Sequence, residues 1–162
     1  MFQSVDKARF GDRQSWIKLL ARAPEHMLES ALALVPAQPH TWLRRPETGL
    51  FMVQGRVGGT GNRFNVGEMT VTRCALRLNC GTAGVAYIQG RSHHRAEMAA
   101  MADALLQTDH YRPLIETALL EPVSCYLNDK SQTLARKAQS TRVDFFTVAR
   151  EAGGSDAEAE GA

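Results

Sequence analysis

The chain reads as an α+β protein: a single domain with an antiparallel β-sheet flanked by N-terminal and C-terminal helices. Three observations predict this. The middle is a series of short β-prone runs separated by turn residues, both ends carry apolar residues at helical spacing, and short links between runs favour antiparallel pairing. At 162 residues, 44% hydrophobic and 22% charged, the chain can bury about 68–70% of its unfolded surface without a disulfide or metal staple. The expected division is one α+β domain over 1–150 and a mobile acidic tail over 151–162.

The elements follow in order. Over 12–23, Trp16, Leu19, Leu20 and Ala23 fall on one helical side. Pro24 suits the first turn of a second helix, whose stripe is Met27, Leu28, Ala31, Leu32 and Val35, and Pro36 and Pro39 mark its exit. Strands are expected over 41–45, 50–57, 68–78 and 84–89, divided by Pro46, a glycine-rich loop and the turn 79–82. In the long third strand, Met69, Val71, Arg73, Ala75 and Arg77 share one face, which would run from a core into a polar interface. Glu68, Thr70, Thr72, Cys74, Leu76 and Leu78 share the other. Residues 93–107 form a helix with Met98, Met101, Ala102 and Leu105 on one side. Pro113 and Pro122 break the chain around a short helix, and a last helix over 124–142 carries Leu127, Leu134 and Ala138 on its apolar side. Residues 143–148 read as a strand or a docking segment.

The net charge of +2 conceals an asymmetry, because the last twelve residues hold four acids and no Lys or Arg. Residues 1–150 therefore carry 19 basic against 13 acidic groups. A mildly basic body suits an anionic ligand or acidic partner. The basic residues are dispersed and no recognised module accompanies them, so nucleic acid is not the expected partner. Cys74, Cys80 and Cys125 form no CxxC pair and cannot all pair internally, which fits a reducing compartment. Charged residues interrupt the N-terminus, and no apolar run approaches the ~20 residues that span a bilayer. A cytoplasmic protein with no membrane partner is expected.

The run from Glu47 to Arg73 is the richest in chemistry. Gly58, Gly59 and Gly61 lie in a loop between two strands, with Arg56, Arg63 and Arg73 nearby. Glycine admits positive φ and close backbone approach, and arginine binds phosphate or carboxylate with a rigid fork. Phosphate binding and tight subunit packing both fit such a loop.

The pieces Glu47-Thr-Gly-Leu, Gly55-Arg-Val-Gly-Gly-Thr-Gly61, Gly67-Glu-Met-Thr-Val-Thr-Arg73 and Gly90-Arg91 resemble the PhnG family. Ala96-Glu97, Asp103-Ala-Leu-Leu-Gln107 and Arg142-Val-Asp-Phe-Phe-Thr147 continue the likeness in order. That family is the G subunit of the bacterial carbon–phosphorus lyase core complex. The resemblance implies a role in phosphonate catabolism, where the G, H, I and L subunits replace the adenine of ATP with a phosphonate. It also implies partners: the I-type subunit closest, with the H-type and J-type subunits and the L-type protein. ATP and phosphonate are then substrates of the complex, with no cofactor bound by this chain alone. The family usually places a histidine directly before the Ala-Glu pair; this chain has Arg95 there, with His93 and His94 upstream.

Candidate residues are weighed against that implication. The segment Gly58-Gly-Thr-Gly61 lacks the Gly-Lys-Ser/Thr ending of a Walker loop, and a strand follows it, so direct substrate contact, a tight turn and a subunit contact all remain open. Glu68 and Arg73 are the most tempting catalytic pair. Five residues apart in a regular strand, they point to opposite faces unless a bulge near Gly67 intervenes. Neighbouring His93 and His94 do not face one way on a helix, and no ligand spacing completes a metal site, so none is expected. Arg56, Arg63, Arg73 and Arg91 are candidates for substrate or partner binding with the three glycines, and Glu68 is the sole candidate for stabilising an oxocarbenium-like centre. A purely structural subunit and a stand-alone phosphate-ligand module are the alternatives.

Overall fold

The computed structural model describes residues 10–142. The expected segment over 143–148, the acidic tail and the first nine residues lie outside them.

Helices α1 (Arg13–Leu20) and α2 (Glu25–Leu32) come first, followed by strands β1 (His40–Arg56), β2 (Arg63–Leu78) and β3 (Ala83–Gln89). Helix α3 (His93–Leu106), a short α4 (Arg112–Ile115), a π-turn (Glu116–Leu120) and α5 (Glu121–Ser140) complete the order. The sheet has the order β1-β2-β3, with both pairs antiparallel. The α+β architecture is the one the sequence predicts.

Helix α3 sits at the centre. Ala96, Met98, Ala99, Ala100, Ala102, Asp103, Ala104, Leu105 and Leu106 are all buried, so it has no solvent stripe over most of its length. Its alanines let neighbours approach closely: a Cβ built on Gly84 of β3 would lie 2.9 Å from the Ala104 Cβ. Leu20, Leu28, Leu76, Ile88, Ile115, Leu119, Leu120 and Val123 close round it. Asp103, fully buried, ties three elements together. Its Oδ1 accepts from Trp16 Nε1 at 2.9 Å, and its Oδ2 accepts from Arg13 Nη2 at 2.7 Å and the Val85 amide at 2.9 Å. A buried carboxylate persists only when its lone pairs are met in this way.

Four expectations need correction. The strands expected over 41–45 and 50–57 are one strand, because Pro46 falls at a register shift on an edge strand, where its missing N–H breaks no ladder. The strand expected from residue 68 begins at Arg63. Pro122 does not break the chain: Glu121 N–H bonds Glu116 O, and this wider π-turn leads into α5 past the proline ring. Finally, the core side of β2 carries Thr72, Cys74, Leu76 and Leu78, whereas Arg73 and Arg77 are exposed. Helix α3 covers the first side; no element of the described chain covers the second.

Beyond Thr70 the sheet loses its third strand, since β3 ends opposite Val71 and the Gly90 amide closes on Thr70 O at 3.0 Å. What remains, from Leu50 to Arg56 paired with Arg63 to Thr70, is a two-stranded ribbon about 23 Å long at 3.3 Å per residue.

Candidate functional site

The glycine run folds as the tip of this ribbon. Gly58 and Gly59 have φ of +57° and +84°, the left-handed conformation that favours glycine. A Cβ on Gly61 would stand 2.7 Å from Val57 O, the carbonyl that accepts the Gly61 N–H at 2.8 Å. Arg56 Nη1 donates to Gly61 O at 3.2 Å, so that arginine helps close the turn. Arg56 and Arg63 stand directly opposite each other across the strands. Like charges in that position oppose pairing unless an anion or an acidic group meets them.

Arg73 lies elsewhere. Its Nε donates to Glu47 Oε1 at 2.7 Å, and Arg44 Nη1 donates to the same oxygen at 2.7 Å. All three side chains are about half exposed. The hydrogen bond from Arg73 holds the Glu47 carboxyl below the ordinary carboxylate range, with Arg44 adding to the effect. The same bond raises the Arg73 guanidinium, helped by Tyr87, its cross-strand neighbour. Ten residues of strand separate Arg63 from Arg73, about 33 Å, so one small ligand cannot bridge them.

Glu68 and Arg73 remain on opposite faces. A bulge does occur, where Val53 and Gln54 face Gly67 and Asn65, but it precedes Glu68, and the register from Glu68 to Arg73 is unbroken. Glu68 is exposed opposite Met52, with no ion pair among the described residues. Arg91 is exposed just after Gly90, at the ribbon's root. The expected candidates thus divide into a tip (Arg56, Gly58, Gly59, Gly61, Arg63) and a root (Glu68, Arg73, Arg91).

Two features were not visible in the sequence. His93 Nε2 is hydrogen-bonded to Thr48 Oγ1 at 3.0 Å, Thr48 Oγ1 to Thr72 Oγ1 at 3.1 Å, and Thr72 donates to Gly90 O at 2.7 Å. This chain of contacts fastens the ribbon's root to the start of α3. Glu25, Glu29 and His94 also bring ligating atoms within 4.8 Å of one another, all on exposed side chains. His94 pairs with Glu29 at 3.3 Å, and Ser92 donates to Glu25 at 3.1 Å. Sequence spacing carries no sign of this cluster, because 65 residues separate His94 from Glu29.

The ribbon's second property is apolar exposure. Leu50, Phe51, Met52, Val57, Phe64 and Val66 are all exposed, Leu50 at 66% and Phe51 at 56%. Leu50 shares the face of Thr70 and Phe51 that of Met69, so both faces present large apolar groups. An isolated two-stranded ribbon is marginal in water, and its unpaired edges invite another chain.

The family model described as phosphonate metabolism protein PhnG matches residues 11–151. The chain belongs to the PhnG family. A curated relative from Rhizobium meliloti (strain 1021) is 40% identical over 149 residues, covering 91% of this chain and 95% of its own length. It is named alpha-D-ribose 1-methylphosphonate 5-triphosphate synthase subunit PhnG. In this PhnG-family chain, the motifs that carried the likeness, from Glu47 to Arg73, are the projecting ribbon and its root. Among the described residues no helix is long and apolar enough to cross a membrane.

Proposed function

We propose that the chain is a non-autonomous subunit of a cytoplasmic transferase complex of phosphonate metabolism, which forms a ribose 1-phosphonate 5-triphosphate. In the reaction proposed for the complex, a phosphonate oxygen bonds to the ribose anomeric carbon of ATP. The carbon–nitrogen bond to adenine breaks, and adenine leaves with a proton. The relative's name as a synthase subunit supports this reading.

The observation that carries the reading is the ribbon, whose exposed apolar faces have no partner within the described chain. Arg56 and Arg63 at its tip would offset the repulsion between triphosphate and phosphonate, or meet acidic groups of a neighbouring subunit. The expected neighbours are the I-type subunit first, then the H-type and J-type subunits and the L-type protein. Glu68 and Arg73, on opposite faces and solvated, form no catalytic pair, which favours a shaping role over direct catalysis.

Co-expression with the I-type partner, isolation of the complex and an adenine-release assay test the proposal. Expected are a stable complex, adenine release by the complete set of subunits, and none by this chain alone. Robust turnover by the isolated chain would overturn the subunit reading. Full activity of a complex lacking this chain would reduce it to a scaffold.

A further inference from the structure

The turn after α1, the end of β3, α3 and α5 border an open cavity of about 500 Å³. Arg22, Arg95 and Lys130 line it, with Ser131, Leu127 and Leu134, and none of its lining residues is acidic. A volume of this size lies within the range of small-molecule sites.

None of the three cations makes an ion pair with a carboxylate among the described residues. Arg22 Nε donates only to Lys18 O at 3.3 Å. Arg95 Nη2 donates to Ala21 O at 2.7 Å, while its Nε is buried without a partner. A guanidinium has five donors, and leaving one desolvated and unmet is costly. Three like charges around one concavity also repel each other until an anion enters, and such a cleft focuses its field on anions.

We propose that this cavity is a binding site for an organic phosphate, separate from the ribbon. Arg22, Arg95 and Lys130 hold the phosphate oxygens, with the Ser131 hydroxyl available as a further donor. Leu127 and Leu134, the latter 69% exposed, take the carbon portion of the ester. The permanent charge of Arg95 makes the site anion-selective at any physiological pH. The site depends on the proposed function only in the choice of ATP as one probe.

The test is calorimetric titration of the full chain with ATP and with tripolyphosphate, at low and at physiological salt. Both should bind saturably and more weakly as salt rises. The double variant Arg22→Ser/Lys130→Ser, which alters only exposed side chains, should weaken both at least about ten-fold while keeping the wild-type melting temperature. Leu134→Ser should weaken ATP alone. Absence of saturable binding to either probe, or binding that survives the double substitution, would overturn the site. Binding of tripolyphosphate without ATP would overturn its assignment to an organic ester. A chain that assembles with its partners yet binds neither probe would refute this site and leave the subunit reading standing.

Discussion

The core around α3 and the ribbon beyond Thr70 are built on opposite terms. Around α3, apolar groups are sealed and the one carboxylate buried among the described residues is fully paired within the chain. Along the ribbon, leucine and phenylalanine face water and two arginines stand opposite each other with no acid between them. The first region is finished by its own sequence. The second has the exposed apolar composition typical of an interface.

The largest expected effect tests the core. Asp103→Ala strands the Trp16 and Val85 donors and unpairs the partly exposed Arg13, so the isolated chain should lose about 2–5 kcal/mol in denaturant unfolding. A loss below about 1 kcal/mol would show that the core does not depend on this junction. Gly84→Ala should follow, at about 1–3 kcal/mol, because the new Cβ meets the α3 backbone and Ala104.

The ribbon should respond in the reverse sense. Leu50→Ser combined with Phe51→Ser removes one exposed apolar group from each face. The melting temperature of the isolated chain should stay within about 2 °C of wild type. Recovery of the complex by co-purification should fall at least ten-fold, as for an interface anchor worth about 2 kcal/mol. Normal assembly would break the contrast between the two regions.

The thiols report a simpler contrast, between core and surface, at lower amplitude. Burial pushes the Cys74 thiol up to about 12, with the Glu97 charge acting in the same direction. Its Sγ also donates to Ala96 O at 3.1 Å. Cys80 is exposed and its thiol is lowered by the hydrogen bond to Thr82. A thiol reagent near pH 8 should therefore label Cys80 and Cys125 rapidly and Cys74 only after unfolding. Mass spectrometry of the labelled chain distinguishes the three.

The smallest effect concerns the root. Since Glu47 is depressed in the folded chain, its contribution is present above the ordinary carboxylate range and is lost as pH falls through its lowered folded value. The melting difference between wild type and Glu47→Gln should be small at neutral pH and vanish in acid. A difference that grows in acid would contradict the pairing with Arg73. Arg73→Ala should leave the isolated chain within about 2 °C of wild type, because the arginine is solvated. Its effect on complex yield then reports partner contact alone.

Sequence by itself determined the element types, the turn at Gly58–Gly61, the antiparallel order and the family, because helical and strand periodicities and glycine backbone freedom are local properties. It also placed Glu68 and Arg73 on opposite faces, which pleat geometry fixes. Only the tertiary structure decided which side of β2 is the core, since Met69 and Val71 are as apolar as Cys74 and Leu76. The choice was made by where α3 docks. Likewise, Asp103 reads as an ordinary surface acid until Arg13, Trp16 and Val85 surround it, and Arg22, Arg95 and Lys130 become neighbours only when the turn after α1 meets α3 and α5. Burial and charge convergence are sums over distant segments, and local spacing carries no record of them.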